Sequence, residues 1–108
     1  MTPPAKFYRY EDIQYDHYVS VNEYHYYLIK ETPCGYWISY YRKGHPFALD
    51  DKKWVSKTAR KRFAYPTRME AQISFKARKN AQIRILSTQL KRAKNALLDF
   101  ERHIEGNL

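Results

Sequence analysis

A chain of 108 residues, 44% hydrophobic and 17% aromatic, can build one domain with a modest core and is too apolar for a disordered tail. Its formal net charge of +9 favours anionic partners. No apolar run is long enough to cross a membrane, and no signal-peptide pattern follows Met1. Cys34 is the single cysteine, so an intrachain disulfide is excluded and a reducing compartment, the cytoplasm, is expected.

The charge is segregated. Residues 1–51 hold five Lys or Arg against seven Asp or Glu, whereas residues 52–103 hold fifteen against three. The second half therefore carries the anion-attracting field.

Residues 1–57 are expected to form strands, because ten of the eleven tyrosines precede Arg42 and aromatic residues favour a pleated surface. Lys6–Tyr10 reads as a first strand and Tyr18–Val21 as a short second one. In Tyr24–Glu31, alternation places Tyr26, Leu28 and Lys30 on one face and Tyr27, Ile29 and Glu31 on the other. Thr32-Pro33-Cys34-Gly35 is turn chemistry, with Gly35 tolerant of positive φ. Tyr36–Tyr41 returns the chain as a hairpin, and Lys53–Lys57 reads as a last strand around Trp54 and Val55. The acidic pairs Glu11-Asp12 and Asp50-Asp51 read as solvated turns.

The run from Lys57 to Thr67 holds four cations at Lys57, Arg60, Lys61 and Arg62, with Phe63 and Tyr65 among them. Arg60 and Arg62 could grip phosphate oxygens bidentately, and Tyr65 could stack on a base. The plainer account is a solvated basic loop pinned by two buried aromatics.

From Thr67 to His103 there is neither Gly nor Pro. Thr67 and Glu70 have capping-box spacing, Pro66 blocks extension upstream, and Gly106 supplies a left-handed C-cap. This predicts one long helix, roughly 55 Å at 1.5 Å per residue. Its first part offers Met69, Ile73 and Ala77 to the sheet. From Ile83 onward apolar residues recur at steps of three and four: Ile83, Leu86, Leu90, Ala93, Leu97, Phe100 and Ile104. That is a heptad seam. With a single such helix in the chain, the seam needs a second copy, so a homodimer or higher homo-oligomer is expected. The alternative is a helix broken near Asn80 or folded back on its own sheet.

The expected architecture is therefore α+β: a small N-terminal antiparallel sheet (1–57), a basic loop (58–66) and one long C-terminal helix (67–105), in a single domain. Catalytic patterns are missing. His17, His25, His45 and His103 lack metal-ligand spacing with Cys34, Cys34 has no sequence-local partner, and three glycines form no phosphate loop. Binding without turnover, with no cofactor and no metal, is the expectation.

The run Lys57-Thr58-Ala59-Arg60-Lys61-Arg62-Phe63-Ala64-Tyr65-Pro66-Thr67, with Ser74-Phe75-Lys76-Ala77-Arg78-Lys79 and Gln82-Ile83-Arg84-Ile85-Leu86, resembles a family of small phage-encoded proteins. Lys30-Glu31-Thr32-Pro33 and Gly35-Tyr36-Trp37 are similar to the same group, which is identified here with the first anti-Thoeris (Tad) sponges. The resemblance implies an N-terminal sheet joined to oligomerising helices. It implies capture, without degradation, of a cyclic ADP-ribose isomer or a cyclic oligonucleotide in the host cytoplasm during infection. It also implies a stacking pair of a helix Phe and a C-terminal Arg, matched here by Phe75 and Arg102; Arg78, on the same helix, is a further ligand-binding candidate. If two helices pair antiparallel with Leu86 near the crossing, Phe75 of one copy falls within about a turn of Arg102 of the other. The competing expectation is a nucleic-acid binder, or an inhibitor of a defence nucleoprotein such as a CRISPR effector. It rests on the helix cations Arg78, Arg84, Lys91, Arg92 and Lys94. A weaker third is an enzyme that cleaves the same signal.

Overall fold

The computed structural model describes residues 2–107. Four strands and one helix follow in order: β1 (Lys6–Gln14), β2 (Val19–Glu31), β3 (Gly35–Ser39), β4 (Lys53–Ser56) and α1 (Arg68–Asn107). The strands form one antiparallel sheet in the order β1-β2-β3-β4. This is the expected α+β arrangement.

Two strands are longer than the residue pattern suggests. Glu11 and Asp12 lie inside β1, opposite Asn22 and Val21, not in a turn. The two short segments expected around Tyr18 and Tyr24 are one strand. Val19 to Tyr27 pair without interruption with β1, and the turn lies before them, where the Tyr15 amide donates to the Tyr18 carbonyl at 2.8 Å and the two rings stack at 4.5 Å. Cross-strand pairing thus carries polar residues that alternation alone would leave in a loop.

The second hairpin closes as expected, with the Thr32 amide donating to the Gly35 carbonyl at 2.8 Å. Gly35 is required for another reason than positive φ, which among the described glycines only Gly44 adopts. A Cβ on Gly35 would stand 2.3 Å from the Val55 carbonyl oxygen and 2.6 Å from the Trp54 ring. Further along, the pairing of β2 with β3 shifts between Leu28 and Lys30. That bulge at Ile29 moves Lys30 opposite Trp37, onto the face of Tyr27 instead of that of Leu28.

The core lies on one face. Phe7, Ile38, Val55 and Ala64 are buried there, with Tyr26, Leu28, Tyr36 and Phe63 packed against them. The loop before α1 closes this face: Tyr65 exchanges both backbone hydrogen bonds with Tyr8 along the β1 edge, at 2.6 and 3.0 Å.

By Cα proximity the chain divides into two compact units, residues 1–75 and 76–108. In the first, Thr67 caps α1, its hydroxyl accepting from the Glu70 amide at 3.2 Å. The helical residues that meet the sheet are not the expected ones. Met69 and Ile73 are 71% and 62% exposed, and Ala77 is exposed too, while Ala71 is buried. Arg68, Gln72 and Phe75 reach Tyr8, Tyr10 and Glu23, so polar and aromatic contacts replace the apolar row. In the second unit the helix continues unbroken through Asn80, and Gly106 is helical instead of a left-handed cap. Every residue from Gln82 to Gly106 is exposed. No described helix is long and apolar enough to cross a membrane.

Candidate functional site

The anticipated site residues fall in different surroundings. In the basic loop, Arg62 is committed to its own backbone: its guanidinium donates to the carbonyls of Ala59 (2.9 Å) and Lys57 (2.8 Å). Tyr65 is half-buried, and its hydroxyl accepts from the Arg62 amide at 3.3 Å. Both side chains thus hold the loop together from within. Arg60 is exposed and keeps the role open to it. Lys57 pairs with Glu31 at 2.8 Å, which raises the Lys57 pKa and ties the loop to the end of β2.

Phe75 is half-buried, its ring 6.5 Å from that of Tyr10. Arg102 is exposed near the end of α1. Arg78 is half-buried. The seam positions Ile83, Leu86, Leu90, Leu97 and Phe100 are between 53% and 60% exposed, and Ala93 is exposed as well. Thus the apolar stripe lies along one helix, and its side chains are exposed.

Residue patterns missed a polar cluster on the sheet face opposite the core. Glu23 sits opposite Tyr10 in the β1–β2 register. Its carboxylate accepts from the Tyr10 hydroxyl, pairs with His25, and receives Arg68 Nε at 3.0 and 3.2 Å. Gln72 donates to the Tyr10 hydroxyl at 3.2 Å. Arg68 also lies 5.0 Å over the Tyr8 ring. The Tyr10 and His25 bonds, with the Arg68 charge, hold Glu23 down to about 2, and the same contact raises the Tyr10 pKa. A carboxylate so easily ionised and a phenol so reluctant to ionise are both poorly matched to proton transfer near neutrality. The cluster is a latch between the start of α1 and the sheet.

Among the described residues no three His, Cys, Asp or Glu gather in a way that could hold a metal ion. Cys34 is exposed in its turn.

Comparison with protein-family models, with curated proteins and with solved structures finds no match to this chain.

Proposed function

We propose that this protein is a non-enzymatic homo-oligomer that captures a small cyclic nucleotide signal, of the cyclic ADP-ribose type or a cyclic oligonucleotide, and holds it intact, as a phage counter-defence protein. The observation that carries this reading is the bare heptad seam: six large apolar side chains from Ile83 to Ile104, each at least 44% exposed, on one helix. A stripe of that kind is normally covered. A second copy of α1 covers it with the same residues, in an isologous pairing. Oligomerisation then supplies what one chain lacks, since Phe75 and Arg102 from different copies would hold a purine between a ring and a guanidinium. Arg78 and Arg60 are assigned to the phosphates.

The test is co-purification from cells that express an active TIR-type cyclase, followed by native mass spectrometry and heat release. A nucleotide bound at one or two sites per dimer and recovered unchanged is the expected result. A processed product would make the protein an enzyme, and an empty protein would remove the assignment. Phe75→Ala with Arg102→Ala should abolish capture while sedimentation still shows the oligomer. Undiminished binding in that double variant would move the site to the Arg60 loop.

A further inference from the structure

We infer that the sheet face opposite the core, beyond the latch, is a stacking surface for single-stranded nucleic acid, a site that goes beyond the cyclic-nucleotide reading and does not depend on the helix. Beyond the latch three more rings stand on this face. Tyr27 stands on β2 beside Lys6 of β1, while Trp37 of β3 stands between Lys30 of β2 and Trp54 of β4. The two tryptophan rings are 5.0 Å apart, centre to centre, and Trp54 is 39% exposed. Tyr27 and Trp37 are half-buried.

Cations surround these rings. Lys6 and Arg42 lie 5.9 and 5.1 Å from the Tyr27 ring centre, and Lys52 lies 5.1 Å from that of Trp37. Lys30 reaches the same face because of the Ile29 bulge. All four cationic residues are exposed, so each can turn from a ring to a phosphate while a base takes the ring face. Asp51, next in the chain to Lys52, is engaged by the Ser39 hydroxyl at 3.3 Å and the Tyr40 amide at 3.0 Å.

The concentration of charge is selective. Residues 1–57 hold eight Lys or Arg and seven Asp or Glu, a near balance, yet half of those cations border these three rings. Rings for bases, flanked by exposed cations for phosphates, are the composition of a surface that tracks a flexible single strand. A duplex keeps its bases stacked inside and offers these rings nothing to stack on.

Trp37 and Trp54 are the only tryptophans, so tryptophan emission reports this surface directly. Titration with a twelve-residue oligothymidylate should quench it, and a duplex of equal length should do so far less. Trp54→Ala should weaken the single strand by about fivefold or more, the loss of one stacked base, and Trp54→Phe should restore most of it. Lys52→Ala, at an exposed position, should lower the slope of log affinity against log salt by about 0.7. Arg84→Glu with Arg92→Glu, on the helix, should leave the quenching in place. Emission unmoved by saturating strand, Trp54→Ala binding like the parent, or quenching abolished by the helix pair would each overturn the inference. Cyclic ADP-ribose capture measured in parallel separates the two sites, because its failure leaves this signal untouched.

Discussion

Glu23 shows how much one carboxylate can organise. Its bonds to Tyr10, His25 and Arg68 favour the ionised form, so they stabilise the fold only while it is ionised. The ordinary value is 4.5 and the folded value about 2. The contribution is therefore complete above the ordinary value and is lost as pH falls from about 4.5 to about 2. Glu23→Gln should destabilise the sheet unit by about 1–3 kcal/mol at pH 7, the worth of bonds to a charged group, and should flatten the acid limb of a urea-midpoint profile. An unchanged midpoint at pH 7 would show the latch to be incidental. Gly35 makes a steric case instead. Gly35→Ala would force a methyl against the Val55 carbonyl and the Trp54 ring, at a cost of about 1–3 kcal/mol. Thermal unfolding checks this, and a parental midpoint would mean the hairpin yields easily.

At the scale of elements, α1 meets two demands along its length. Its first two turns join the sheet through Arg68, Ala71, Gln72 and Phe75. From Gln82 to Gly106 every residue is exposed, although helices gain most of their stability from a packed apolar face. A carboxylate on the seam would be buried without a partner in the proposed dimer. Leu90→Asp should therefore convert the oligomer to monomer in sedimentation velocity, with lower helicity at 222 nm on dilution. An unchanged sedimentation coefficient would refute pairing through this seam. The β1–β2 ribbon shows the other way an element is completed, with polar side chains such as Asp12 and Asn22 held in register by neighbouring backbone.

For the whole molecule, the net charge of +9 leaves two kinds of anion in competition, and ionic strength separates them. A defined cyclic nucleotide carries few charges, so its affinity should fall only severalfold between 50 and 200 mM salt. A polyanion that neutralises six or more phosphates on the helix cations would lose about a thousandfold or more over the same range. Calorimetry with each ligand across that range checks the assignment. A steep slope for the cyclic nucleotide would count against a compact pocket.

The architecture was readable because its signals are local. Turn chemistry at Thr32–Gly35, the cap at Thr67 and the three-four spacing from Ile83 each act within a few residues. The site was less readable because its contacts are not local. Arg62 turns inward to backbone carbonyls that no spacing rule foresees, and Tyr10 meets Glu23 only through strand register. A single bulge at Ile29 reverses the side of the sheet on which Lys30 lies, since a pleat has a period of two and one extra residue inverts it. By itself the sequence determined an α+β chain with a basic second half and an unfilled helical stripe. Only the tertiary structure decided which rings and cations stand together, because cross-strand register brings together residues far apart in the chain.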